Sequence, residues 1–296
     1  MKLTLAARPP FSLFAVVRSH GWASLAPFSW DEGAGELAYI APLSTRRVVE
    51  MLIHETSTGV AVDVAGSLDA NEREEVERMV EWMLGLDQDL APFHALARAE
   101  PKLARVVERA QGRILRSPTL FEDVVKTILT TNTTWTGTIR MVAALVAAYG
   151  APLPADPTRR AFPTAERLAA VDEEALRSAA RLGYRTPYVL DLARSLARGS
   201  FDLEALKAGD NPTHELRKRL LAIKGVGEYA AANLLMMLGH YAFVPVDSWA
   251  LKIVSHEWYE DRPIGRAEVE AAFERWGDWK GLAYWFWNWA YTSGAS

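Results

Sequence analysis

Two short stretches of this 296-residue chain hold residues that could do chemistry together. The first is Ile223-Lys224-Gly225-Val226-Gly227-Glu228-Tyr229-Ala230-Ala231. Gly225 and Gly227 permit the backbone angles of a tight turn between two helices, and Val226 between them can plug into the helix pair. Ala230 and Ala231 let the second helix pack closely. With no side chain at either glycine, the turn amides and the next helix N-terminus lie bare, and a phosphate can dock there. His214, Arg217, Lys218, Arg219 and Lys224 add basic charge nearby. The same pattern also suits a plain helical corner closed by a C-cap glycine.

The second stretch is Phe243-Val244-Pro245-Val246-Asp247-Ser248-Trp249. Pro245 forces Val244 extended. Asp247 then precedes a helical pattern through Trp249 and Ile253 to Trp258. Aspartate is a common N-cap. That position favours the ionised carboxylate, the form needed to face a developing cation.

Taken together, the glycine corner and Val244-Pro245-Val246-Asp247 resemble the helix-hairpin-helix plus Gly/Pro–Asp signature of a DNA glycosylase superfamily. That superfamily includes 3-methyladenine DNA glycosylase II and 8-oxoguanine DNA glycosylase. Ile114-Leu115-Arg116 and Phe121 to Asn132 resemble the helix and loop that carry the family's wedge. Leu182-Gly183-Tyr184-Arg185 resembles a run in the oxoguanine enzymes. The resemblance implies a base-excision enzyme that flips a damaged purine out of double-stranded DNA and hydrolyses its N-glycosidic bond. Asp247 would be the catalytic carboxylate, stabilising an oxocarbenium-like sugar and orienting water. Lys224, Gly225, Val226 and Gly227 would hold a backbone phosphate. Asn132, Tyr184 and Arg185 would fill the gap or contact the orphaned base. The carbonyls of Leu221, Ile223 and Val226 match positions that bind a monovalent cation (Na or K) in relatives, and no other cofactor is required.

One departure bears on the reaction type. Members that also cut the strand carry a lysine two residues after the last hairpin glycine, where it forms a Schiff base. Here that residue is Tyr229. A water nucleophile and a monofunctional enzyme follow. Five of the chain's 11 tryptophans, among them Trp285, fall after residue 275. They suit core packing or an aromatic pocket for a cationic, alkylated base; Tyr229, Trp249 and Trp285 are the pocket candidates. Alkylated purines are the preferred substrate. An 8-oxoguanine glycosylase, with or without lyase activity, and a non-catalytic damaged-DNA-binding module are the alternatives.

The elements that must position these residues follow an α+β plan. The apolar runs Phe14–Val17, Leu37–Ile40, Val48–Ile53 and Val60–Val64 predict strands of an N-terminal antiparallel sheet domain over residues 1–85. From Asn71 the period turns helical. Val76, Val80 and Met83 share one face of Glu72–Leu84, and Thr119 with Glu122 forms a capping box ahead of an apolar face through Leu129. Helices are expected at Ile139–Tyr149, Glu173–Leu182, Pro187–Ala197 and Thr213–Ile223, with Ala151–Pro163 a loop. A mostly α-helical domain would span 86–296, its hairpin at 213–238 and its C-terminal helices at 266–292 packing back.

Composition bounds the rest. Half the residues are hydrophobic and 24% charged, as in ordinary globular proteins. No apolar run reaches membrane-spanning length and the N-terminus lacks a signal-peptide pattern. There is no cysteine, so an iron–sulfur cluster is excluded. The expected setting is cytoplasmic, of bacterial type and nucleoid-associated, with the chain acting as a monomer. A net charge of −4 argues against crude electrostatic DNA binding, so contact must come from a local basic face or from backbone amides.

Overall fold

Period-two burial fixes the sheet. In Val48–Thr56, Val49, Met51 and Ile53 are buried while Val48, Glu50 and Leu52 between them are only partly so. A one-residue slip would therefore expose the whole apolar set. In the computed structural model, which describes residues 1–208 and 211–289, five strands form this sheet. They are β1 (Lys2–Ala6), β2 (Phe28–Asp31), β3 (Glu36–Pro42), β4 (Val48–Thr56) and β5 (Gly59–Val64). Their order is β1-β5-β4-β3-β2 with every pair antiparallel; Ile53 faces Val62, and Val62 in turn faces Leu3. The α+β class holds.

Three local expectations fail. Phe14–Val17 is not a strand but part of the helix Leu13–Val17, because the Ser12 hydroxyl caps the Ala15 amide at 3.3 Å. The stretch expected to be a loop, Ala151–Pro163, contains a second sheet, β6 (Pro152–Leu153) with β7 (Asp156–Arg160). The Thr119 capping box is half made: the Thr119 hydroxyl accepts from the Glu122 amide, but the Glu122 carboxylate turns inward instead of returning to the cap.

The chain divides into two compact units, 1–88 with 113–208 and 89–112 with 209–296, rather than at residue 85. The reason in the first unit is the helix Leu120–Thr130, buried from Leu120 to Leu129 on every side. Its polar residues bind the N-terminal sheet region. Trp22 Nε1 donates to Asp123 at 2.8 Å, the Tyr39 hydroxyl donates to Glu122 at 2.6 Å, and Lys126 pairs with Glu122 at 2.6 Å. Lys126 also lies 4.6 Å from the Phe28 ring centre. Buried charges need such partners, and a sheet-only domain would leave them orphaned.

In the second unit the helices are Ala91–Arg98, Ala104–Glu108, Thr213–Leu221, Glu228–Met237, Ser248–Trp258, Arg266–Phe273 and Lys280–Phe286. Aromatic residues fill its core. Phe93 and Trp279 stack at 5.7 Å, Trp279 and Tyr241 at 5.2 Å, and Trp276 meets Trp287 edge-on at 5.2 Å. Residues 290–292 of the expected C-terminal helices lie outside the described residues. Among the described residues no helix is long and apolar enough to cross a membrane.

Candidate active site

In the second unit the helix Thr213–Leu221 ends on Ala222, and the corner Ile223–Gly227 leads into Glu228–Met237. Gly225 has φ 88, a left-handed conformation that disfavours any side chain. Gly227 does not share this need. Its φ is −93, it is exposed, and an added Cβ would meet nothing within 4 Å. Gly227 therefore leaves open space over the N-terminus of the second helix, where the first amides have no intrahelical acceptors. Val226 is buried, as its place between the glycines implied, and Ala230 and Ala231 are buried in the helix contact. The basic charge is smaller than the sequence suggests, because Arg217 is paired with Glu228 and His214 sits 3.5 Å from Glu215.

The segment after Gly239 carries the chain to Asp247. Asp247 is the N-cap of Ser248–Trp258, with its carboxylate accepting from the Ala250 amide at 2.7 Å. The side chain is half-buried. A close contact fixes the segment that delivers it. The Gly281 amide donates to the Tyr241 carbonyl at 2.7 Å, and a Cβ on Gly281 would stand 2.6 Å from the Phe243 carbonyl oxygen. Only glycine lets the helix Lys280–Phe286 press so closely on this backbone.

Two phenols share the surroundings of Asp247. Burial, then the charge of Asp247, raises the Tyr229 hydroxyl above its ordinary value. Burial, then Asp247, then Tyr229 raises Tyr284 much further. Both stay protonated at any ordinary pH and can donate a hydrogen bond but not act as bases. Tyr284 was not among the pocket candidates of the sequence; its signal there is only membership of an aromatic-rich stretch. Of the candidates, Tyr229 and Trp285 are half-buried and Trp249 is 38% exposed. Trp276 and Trp287 are core residues. Lys224 and Lys252 are both exposed.

The other group of predicted residues lies in the first unit and is assembled there. The Leu120–Thr130 helix ends in Thr131 and Asn132, the latter left-handed at φ 47. The Asn132 side-chain amide donates to the Tyr184 hydroxyl at 3.2 Å. Tyr184 is 48% exposed, whereas Arg185 is only 6% exposed. Arg185, which the resemblance gave as a contact for the orphaned base, is buried in the free protein. Its guanidinium turns inward and donates to the Thr131 carbonyl and, at 3.2 Å, to the Asn132 carbonyl. A buried charge takes the nearest strong acceptors, and these are backbone oxygens of the loop.

Comparison with known proteins places this arrangement. A 26% identical relative, the DNA-3-methyladenine glycosylase of Bacillus subtilis (strain 168), aligns over 225 residues, 73% of this chain and 72% of the relative. The solved 3-methyladenine DNA-glycosylase from Archaeoglobus fulgidus shares the fold with a TM-score of 0.73 at 20% identity, covering 97% of each chain. MBOgg1, solved in complex with a low affinity DNA ligand, gives 0.72 at 24% identity over 93% of this chain and 90% of its own. The Clostridium acetobutylicum 8-oxoguanine glycosylase/lyase gives 0.68 at 20% identity over 90% and 92%. The family model of the HhH-GPD superfamily base excision DNA repair proteins matches residues 125–278, a span that takes in the loop at Asn132, the glycine corner and Asp247. With that match over half its length, the chain belongs to the HhH-GPD superfamily of base excision DNA repair proteins.

Proposed function

We propose that this glycosylase is monofunctional and releases alkylated purines from double-stranded DNA, with Asp247 as its catalytic carboxylate. The observation that carries the reading is a half-buried tyrosine, Tyr229, close enough to feel the charge of Asp247, where a strand-cutting member needs a lysine. A phenol held above its ordinary pKa is no nucleophile toward a sugar and forms no Schiff base. The attacking group is then water.

As the C1′–N bond breaks, its electron pair leaves with the base and positive charge collects on the sugar. The Asp247 carboxylate, held in place by the Ala250 amide, opposes that charge and orients the water that adds to C1′. The proton lost by the water passes to the carboxylate or to solvent. An alkylated purine already carries positive charge and departs neutral without an acid. This suits a site whose neighbouring phenols, Tyr229 and Tyr284, are reluctant acids. Aromatic faces at Trp249 and Trp285 would attract the cationic base by roughly 0.5–2 kcal/mol.

The partner in this reading is damaged duplex DNA, met by the bare amides after Gly227 and by Asn132 and Tyr184 in the first unit. A relative solved with double-stranded DNA containing cytosine opposite 8-oxoguanine supports that class of ligand. A monovalent cation at the corner fits the donors in part. Leu221 closes a helix whose last carbonyls lack helical partners, but the Ile223 carbonyl already accepts from the Val226 amide at 3.0 Å and would offer its second lone pair. Hydrolysis as written consumes only water. The enzyme would act as a monomer on chromosomal DNA, in a bacterial-type cytoplasm.

Asp247→Asn is the test. Asparagine keeps an oxygen for the Ala250 amide, so fold and DNA affinity should persist. Single-turnover release of an alkylated purine should fall by about 10²–10³. Release near the wild-type rate, or a borohydride-trapped adduct in the wild-type protein, would defeat the proposal. A panel of alkylated and oxidised duplexes decides the lesion class.

A further inference from the structure

We infer that Arg185 is a positioning residue that sets the Thr131–Asn132 loop from inside the protein, so that Asn132 and Tyr184 meet DNA as one preassembled wedge. The inference rests on the reading of that loop as a DNA contact.

The turn Gly183–Arg185 is itself pinned. The Gly183 carbonyl accepts from the Thr186 hydroxyl at 2.8 Å and from Arg177 at 3.1 Å. From this fixed turn two side chains grip the same loop. The Tyr184 hydroxyl donates to the Thr131 carbonyl at 3.4 Å and accepts from Asn132 Nδ2 at 3.2 Å. Arg185 donates to both loop carbonyls and lies 4.4 Å from the centre of the Tyr184 ring. Thr131 is extended (φ −73, ψ 135) and Asn132 left-handed (φ 47); this change of hand turns both oxygens toward one guanidinium. Asparagine tolerates that conformation better than other side-chain-bearing residues.

The guanidinium therefore acts on both parts of the wedge. It holds the backbone that aims Asn132, and its charge over the Tyr184 ring fixes that ring's tilt. Lysine would keep the charge but end one bond short of the Nη2 that serves both carbonyls, and it would lose the planar face over the Tyr184 ring.

Arg185→Lys and Asn132→Gly separate the roles, each compared with wild type. In the free protein, hydrogen exchange of the Thr131 amide, which donates to the Ile128 carbonyl at 3.2 Å, should speed by about tenfold in Arg185→Lys, with exchange in the helix Leu120–Thr130 unchanged. Asn132→Gly keeps the left-handed backbone, so its loop amides should exchange as in wild type. Single-turnover base release should fall by about tenfold in both variants when the lesion is paired, and by less than about threefold when it sits in an unpaired bulge that needs no flipping. Unchanged exchange of the Thr131 amide in Arg185→Lys would overturn the inference whatever the enzyme does. Equal losses on paired and bulged substrates would overturn it too, because Arg185 would then act on the fold or the chemistry. If wild-type protein releases no base from either substrate, the functional reading fails, and exchange alone still decides whether Arg185 sets the loop.

Discussion

Replacing Gly281 by alanine asks how much slack surrounds Asp247. The added Cβ would lie 2.6 Å from the Phe243 oxygen and 2.8 Å from the Tyr241 oxygen, where ordinary contact begins at 3.4 Å, so about 0.6–0.8 Å must be found. Both obstacles are main-chain carbonyls, so no flexible tip can swing aside. Either the helix Lys280–Phe286 or the segment entering Asp247 must move, and the Gly281–Tyr241 hydrogen bond stretches. Overpacking of this kind costs about 1–3 kcal/mol, offset by roughly 1 kcal/mol from alanine's better helix propensity. The larger effect is on turnover. A misplacement of about 1 Å can cost as much as 10²-fold, so a shift somewhat under that should slow chemistry by at least about tenfold. The assay is single-turnover base release with enzyme in excess, beside duplex affinity by fluorescence anisotropy and a thermal melt. Affinity should change by less than about threefold, since the glycine corner is untouched. A folded variant that releases base within twofold of the wild-type rate would refute the idea that this contact positions Asp247.

Three further outcomes follow from the same structure. Gly225→Ala forces an alanine to φ 88 and should cost about 1–2 kcal/mol in unfolding free energy. Gly227→Ala meets nothing inside the protein, so it should melt within a few degrees of wild type yet bind DNA about tenfold more weakly; unaltered affinity would remove this corner from the DNA contact. Stability against pH should show two opposed slopes in the first unit. Burial lowers His20 to about 4, so from there up to 6.5 the unfolded chain binds more protons and stability rises with pH. Burial raises Asp123 from 3.8 to about 6, so across that window the native state binds more and stability falls. Each is worth roughly 3 kcal/mol and they largely cancel. Asp123→Asn should unmask a rise of about that size between pH 4 and 6.5 in urea unfolding; a profile parallel to wild type would contradict it.

Much of the site was legible because its determinants are backbone-level and local. Glycines and a proline announce turns, and an aspartate ahead of a helical period announces a cap, without any knowledge of what packs where. The strands at 37–64 were legible from apolar runs, but Phe14–Val17 carries the same signal and folds as helix, since the deciding hydroxyl is on Ser12 just outside it. Side-chain direction was harder. The resemblance gave Arg185 as a contact for the orphaned base, and nothing in its local sequence signals the two loop carbonyls that hold it buried. Tyr284 feels the charge of Asp247 from a helix much later in the sequence, one that Gly281 lets press on the Tyr241–Phe243 backbone. The division into units was hidden by the Leu120–Thr130 helix: its apolar positions read as one stripe, while Asp123 and Lys126, nominally on the solvent side, are buried too.

That helix has a consequence for how lesion preference could change. Every side chain from Leu120 to Leu129 answers to a neighbour in the interior, several of them through charge, so almost any replacement there disturbs the sheet as well. The tip it carries, from Thr131 onward, is exposed or only partly covered. Tuning of what the loop probes is then confined to a few tip residues and to Tyr184 opposite them. The stem behind them works as a fixed mount, free to vary only where its buried partners vary in step.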